Sequence, residues 1–296
     1  MSVRTVGIIS PGDMGAAIAK VIHDEGLEVV ACLEGRGDLT RLRAQESGIR
    51  DVGSYDELVK QADLVLSVLV PAEAVSIAEL VSASMRATGA TPVYADCNAI
   101  APQNVERIAA IVGEAGGTFI DAGIIGPPPS KGSATRIYCS GPDTTALEAL
   151  KQYGLDIRTI GKGIGQASGM KMLYAASTKG SIALWTELLA ASHAMGLDEA
   201  LEQEFGDSDA VKRMRNHIPT MPRRSRRWVG EMEEIAATFE HLGLTPRILL
   251  GAADIYTQIG ESPLGALTSR DTDPSLEKVL ATLVKAAKRG SGNQAG

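Results

Sequence analysis

The sequence predicts an α/β fold, with a mostly parallel sheet in the first part of the chain and an all-α region after it. Three observations carry this. Short β-branched apolar runs alternate with amphipathic segments over the first 160 or so residues. The run at 64–70 is nearly continuous in apolar residues, as strands covered on both faces are. After Gly165 the apolar residues fall at helical spacing and no strand pattern competes.

The expected strands are 6–9, 29–33, 64–70, 92–95, 118–120 and 136–139, with helices at 16–25, 55–61, 72–85, 102–112 and 144–153. Residues 166–195 read as one helix of about 30 residues, roughly 45 Å at 1.5 Å rise. Further helices are expected at 198–205, 208–217, 228–242, 246–259 and 275–288. The domain boundary is expected at 163/164, giving domains 1–163 and 164–296.

Composition narrows the class. The chain has 296 residues, 44% hydrophobic and 22% charged, which suits a globular protein with a sizeable core. A net charge of −7 opposes attraction to nucleic-acid phosphates, so no nucleic-acid partner is expected. No run approaches the length of a membrane span, and no signal peptide is evident. Cys32, Cys97 and Cys139 are scattered without metal-ligand spacing. They read as reduced thiols in a cytoplasmic protein that holds no metal.

The segment Gly7-Ile8-Ile9-Ser10-Pro11-Gly12-Asp13-Met14-Gly15 follows the first strand and opens the first helix. That is the setting of the GxGxxG dinucleotide fingerprint, with Ser10 at its first glycine position. Gly12 would let the backbone approach a pyrophosphate, and Gly15 would seat the helix close on the strand. The helix N-terminus would offer free N–H groups to the phosphates. Residues 1–163 therefore read as an NAD(P)-binding Rossmann domain. Glu34, 19 residues past Gly15, stands where an acid would meet the ribose 2′-hydroxyl. Arg36 stands where a guanidinium would hold a 2′-phosphate. The two signals oppose each other.

Lys171 lies on an apolar stretch near the start of the long helix, where burial would lower its pKa toward a range useful for proton transfer. Tyr174, one turn on, is an alternative proton donor, and Thr178 follows on the same face. Lys179 lies about 80° around an α-helix from Lys171 and is expected to face elsewhere. Residues 210–230 hold seven Lys and Arg and no acid within an acidic chain, and Arg227 beside Trp228 is the candidate anion contact among them.

These motifs together resemble the β-hydroxyacid dehydrogenases, relatives of 3-hydroxyisobutyrate and 6-phosphogluconate dehydrogenases, over nearly the whole chain. Gly12-Asp13-Met14-Gly15 matches the family's Gly-rich turn. Val70-Pro71 matches the end of a cofactor-facing strand. The segments Asp96-Cys97-Asn98-Ala99-Ile100-Ala101-Pro102 and Asp121-Ala122-Gly123-Ile124-Ile125-Gly126-Pro127 match its two substrate loops. Lys171 matches its catalytic lysine. Asn98, Ala99, Ile125 and Pro127 replace the family's Ser, Thr, Ser and Gly, and Ala175 replaces the Asn four residues past the lysine. The swaps are similar to those of a poorly characterised branch, which often carries Gly-Arg after the second strand.

The resemblance implies hydride transfer between NADP (or NAD) and a small polar, anionic β-hydroxy acid or its carbonyl partner, bound between the domains. In this reading Lys171 or Tyr174 moves the proton. Ser10, Gly12, Asp13, Met14, Gly15, Glu34, Arg36, Val70, Pro71 and Asn98 hold the cofactor. Asn98, Ile124, Ile125, Gly126, Thr178 and Arg227 hold the substrate. Imine reduction on the same fold and a non-catalytic nucleotide-binding protein are the alternatives. Ile182, Leu184, Trp185, Leu188 and Leu189 on the long helix predict an apolar surface that pairs two copies into a homodimer.

Overall fold

A computed structural model describes residues 3–130, 132–268 and 270–292. The chain divides into two compact units, Met1–Met172 and Leu173–Gly296.

The first unit is built on one sheet. Its strands are β1 (Thr5–Ile9), β2 (Glu28–Ala31), β3 (Arg50–Asp51), β4 (Leu64–Ser67), β5 (Val93–Asp96), β6 (Phe119–Ile125), β7 (Arg136–Ser140) and β8 (Asp156–Gly161). They lie in the order β3-β2-β1-β4-β5-β6-β7-β8. Every neighbouring pair is parallel except β6 with β7. Helices α1 (Asp13–Asp24), α2 (Asp38–Glu46), α3 (Tyr55–Gln61), α4 (Ala74–Thr88), α5 (Pro102–Glu114) and the short α6 (Thr145–Glu148) connect the strands. The α/β alternation is as the sequence predicts.

Residues alternate across the sheet, so Leu64 and Leu66 of β4 join one apolar cluster while Val65 joins another. Both faces are therefore covered, which accounts for the unbroken apolar run. The run itself stops early: β4 ends at Ser67, and Pro71 opens a 3₁₀ turn, Pro71–Glu73. Strand order reverses between β1 and β4, which both begin at this point in the chain's path and leave a crevice at their carboxyl ends.

Several expectations change. β3 and β8 and helix α2 did not stand out in the sequence. The segment Asp121-Ala122-Gly123-Ile124-Ile125 is not loop: β6 runs through it to Ile125, and its seven residues are all buried. Pairing on both sides, with β5 and β7, keeps the strand extended past the short apolar run that announced it.

Helix α7 (Gln166–Ala175) runs across the division between the units. The expected single helix at 166–195 is interrupted: α7 passes into a π turn, Ala176–Gly180, and then α8 (Ser181–Met195). The second unit continues with α9 (Asp198–Phe205), α10 (Asp209–His217), α11 (Ser225–His241), α12 (Arg247–Glu261) and α13 (Leu276–Gly292). Helices α11 and α12 pack through Met232, Ile235, Leu249 and Ile259, all buried. The Trp228 and Tyr256 rings meet edge-on at 5.2 Å between centroids. None of the described helices is long and apolar enough to cross a membrane.

Candidate active site

The turn after β1 is shaped for a phosphate. Ser10 adopts a left-handed conformation (φ 61°), taking the role of the fingerprint's first glycine, and its carbonyl accepts from Gly12 N at 2.7 Å. A side chain pays about 1 kcal/mol for that conformation. Gly15 is packed tight: a Cβ there would stand 3.0 Å from Ser10 O and 3.2 Å from Ile8 Cγ2. Gly12 is different. A Cβ there would find no protein atom nearer than Ser10 O at 4.0 Å, so the fold itself leaves that space open. The N-terminus of α1 has no side-chain cap, so its N–H groups face the same space. A dinucleotide pyrophosphate fits both observations.

Around this turn, Asp13 is exposed and ion-paired with Arg43, and Met14 is half-buried against the core. After β2, Gly35 (φ 69°) closes a turn in which Arg36 N donates to Leu33 O at 3.1 Å. The turn leaves Glu34 exposed and sets the Arg36 guanidinium 3.5 Å from Tyr55 Oη. Arg41 reaches back to the same turn, donating to Leu33 O and Arg36 O at 2.6 and 3.1 Å. Arg41 and Arg43 were not singled out in the sequence, because their place beside Arg36 depends on how α2 folds back.

Asn98 is committed to the protein. Its Oδ1 accepts from Leu69 N at 2.6 Å, and its Nδ2 donates to Ser67 Oγ at 3.0 Å and Asp96 Oδ2 at 2.9 Å. It therefore ties the end of β5 to the chain leading into Val70 and Pro71. Val70 is 53% exposed, so its side chain is open to a ligand.

Asp96 and Asp121 are buried neighbours, paired in register across β5 and β6. Burial pushes the Asp96 carboxyl up to about 7, while bonds from Asn98 pull it down and the Asp121 charge adds to the rise. A carboxyl raised in the folded state lends stability below its unfolded value, near 4, and that stability is lost as pH rises through about 7. The melting temperature should therefore fall from pH 5 to pH 8. Asp96→Asn should melt lower at pH 5, because its amide nitrogen meets an Asn98 donor, but with a shallower fall. Thermal melts across that range check this, and an unchanged slope would refute it.

Lys171 is half-buried, and its Nζ donates to Ile124 O at 2.5 Å. The start of its helix is held by Asp121. The Oδ2 of Asp121 accepts from Ala167 N at 2.9 Å, Ser168 N at 3.1 Å and Ser140 Oγ at 3.0 Å, and its Oδ1 accepts from Ser168 Oγ at 2.5 Å. A Cβ on Gly123 would stand 2.7 Å from Ala167 O and 3.0 Å from Lys171 Cβ, so only glycine lets the helix lie this close to β6. Ile124 and Ile125 are buried, and Gly126 (φ 134°) would drive a Cβ to 2.8 Å from Thr135 Cα. Backbone, rather than the side chains of these three residues, is what the segment can present.

The structure thus brings Lys171 and Ile124 together in the first unit. The remaining candidates belong to the second. Tyr174 is 41% exposed. Thr178 Oγ1 is bonded to Tyr174 O at 3.0 Å along its own helix. Arg227 Nε pairs with Glu231 Oε1 at 3.2 Å. Lys179, set aside by helical spacing, is buried. It is ion-paired with Glu231 and lies 5.6 Å from the Trp228 ring centroid. Burial pushes its ammonium down, and Glu231 opposes the shift. The π turn changes the angle per residue, which no α-helical count could anticipate. Among the described residues, no cluster of His, Cys, Asp and Glu could hold a metal ion.

Comparison with known proteins agrees with this geometry. Residues 5–160 match the NAD binding domain of 6-phosphogluconate dehydrogenase, and residues 192–259 match a domain of unknown function (DUF1932). The chain is 27% identical over 259 residues to an uncharacterized 28.5 kDa protein of Methanothermus fervidus, covering 86% of this chain and 99% of that one. It is 30% identical to MTH1747, a conserved protein of unknown function with structural similarity to 3-hydroxyacid dehydrogenases (TM-score 0.68, 86% of this chain and 97% of that one). The fold is also that of 3-hydroxyisobutyrate dehydrogenase from Mycobacterium tuberculosis (TM-score 0.70, 18% identity, 96% and 99% covered). The open cradle at Gly12 and these matches have one reading: the chain belongs to the family of the NAD binding domain of 6-phosphogluconate dehydrogenase, and with it to the NAD(P)-dependent dehydrogenases and reductases.

Proposed function

We propose that the protein interconverts a small polar, anionic β-hydroxy acid and its carbonyl partner, with Lys171 as general acid and base. The observation that supports this is the Lys171 ammonium fixed on the Ile124 carbonyl, on a helix seated directly against β6. Bound NAD(P) supplies or accepts the hydride. Lys171 then provides a proton to the substrate oxygen, or as neutral amine removes it. The cradle of Ser10, Gly12, Asp13, Met14 and Gly15 orients the pyrophosphate through backbone N–H groups.

The test is a screen of the purified protein, with NADPH and NADH, against small hydroxy acids, aldehydes and imines. Turnover of the oxygen substrates supports the proposal. Turnover of imines alone favours imine reduction, and Tyr174, exposed on its helix, becomes the proton donor of choice. Cofactor binding without turnover of any of them favours a non-catalytic nucleotide-binding protein.

NADP is the proposed cofactor, because Arg36 and Arg41 both stand at the turn after β2. Arg36→Ala should weaken NADPH much more than NADH in a fluorescence titration. If the unaltered protein binds NADH tenfold tighter, a difference of about 1.4 kcal/mol, the role of Arg36 is wrong.

A homodimer is the proposed assembly. Of the apolar residues expected at a surface, Ile182 and Leu189 are buried, but Leu184 is 64% exposed. Met195, Leu197 and Phe205 are exposed as well, beyond what a monomer commonly leaves open. Light scattering should give twice the 31.0 kDa of the chain, and a mass near 31.0 kDa at micromolar concentration would sink the idea.

A further inference from the structure

Three residues of β6 act on α7 in sequence. Asp121 takes the N–H groups of Ala167 and Ser168 at the helix start, Gly123 removes the Cβ that would hold the helix away, and the Ile124 carbonyl receives Lys171 Nζ. Asp121 and Gly123 share one face of the strand, since they are two residues apart. The helix is therefore fixed to a single strand at two points, and Lys171 is the second of them.

We propose that Asp121 is a positioning residue for Lys171, acting through the first turn of α7. The proposal rests on the reading of Lys171 as the proton-transfer group. The chemistry suits the task. Four donors converge on one buried carboxyl: Ser140 Oγ, Ala167 N, Ser168 N and Ser168 Oγ. Two are backbone groups at the positive end of a helix, where a carboxylate is favoured. Burial pushes the Asp121 carboxyl up, and these bonds oppose the rise. A charge held this way fixes both the axial position and the rotation of the helix. A rotation of one residue's worth, 100°, would take Lys171 off Ile124 altogether.

Variants separate the parts of the interaction. Asp121→Ala removes all four bonds. Asp121→Asn keeps an oxygen for the two backbone donors and can give its amide hydrogen to the Ser168 hydroxyl, so it preserves the cap without the charge. Ser168→Ala removes only the bond to Oδ1.

The experiment is reductive methylation with formaldehyde and cyanoborohydride, read lysine by lysine by mass spectrometry across a pH series. Lys20, Lys60 and Lys162, all exposed, serve as internal references. In folded Asp121→Ala, Lys171 should label about tenfold faster, the scale of losing one charge-assisted hydrogen bond. The reference lysines should stay at their original rates. Asp121→Asn should restore most of the protection, and Ser168→Ala should give a smaller rise confined to Lys171. The proposal is overturned if Lys171 labels at its original rate, or if all four lysines rise together as general loosening would produce. If Asp121→Ala does not fold, Ser168→Ala decides by the same criteria. Labelling does not depend on turnover, so an active Lys171→Met variant would end the catalytic reading while leaving the positional result intact.

Discussion

Lys171→Met should lower turnover by about 10²-fold or more, the scale typical of losing a general acid or base. Methionine keeps the unbranched stem but carries neither charge nor proton. The partner lost is the Ile124 carbonyl, which already accepts nothing else from a side chain in this set, and the cofactor cradle lies on a different strand end. Folding and NADPH binding should therefore be nearly unchanged, as melting curves and fluorescence titration would show. The decisive comparison is Tyr174→Phe. Should that variant lose turnover while Lys171→Met keeps it, the proton comes from Tyr174 and imine chemistry moves ahead.

Gly123→Ala should damage both stability and turnover. The added methyl meets Ala167 O at 2.7 Å, and backbone cannot swing aside as a flexible side chain can. Overpacking of this kind costs about 1–3 kcal/mol. In a chain of this size that lowers the melting temperature by a few degrees per kcal/mol, about 2–4 °C. The helix must move out by a good fraction of an ångström, and misplacement on the 1 Å scale can cost about 10²-fold in rate. Gly251→Ala on α12 is the control, since its Cβ would enter open space. Alanine there should leave turnover alone and slightly favour the helix. If Gly123→Ala melts and turns over as the unaltered protein does, the close seating of α7 has no functional weight.

The α/β alternation and the helical second part were legible in the sequence because both rest on periodic burial, which a residue pattern records directly. The cradle was legible because its glycines fall at fixed offsets from a strand. The elements that went unread lack that periodicity. β3 is only two residues, both exposed, and Asp156, Arg158, Thr159 and Ile160 on β8 are exposed as well. Helix α2, with Asp38, Arg41, Arg43 and Gln45, buries only Ala44. Side-chain commitments were hidden for a different reason. Nothing in the spacing of Asp121, Ser140 and Ser168 shows that they converge, because strand pairing and the packing of α7 bring them together over 47 residues of chain. Asn98 could be picked out by its motif, but not its ties to Ser67 and Leu69 on the neighbouring path.

The two outer strands of the sheet have a further consequence. An edge with unpaired backbone groups is a template on which another chain can add a strand. β3 offers a template of two residues, flanked by Arg50 with its ion pair to Glu28. β8 is longer, but Arg158 lies along it, bonded to Asp156 and 5.9 Å from the Tyr138 ring centroid. Charged groups at both borders discourage sheet-to-sheet growth, so the protein is guarded against fibrillar self-association at the borders of its most apolar layer. Any ordered pairing of copies is thereby directed to helical surfaces, where contacts close on themselves instead of propagating.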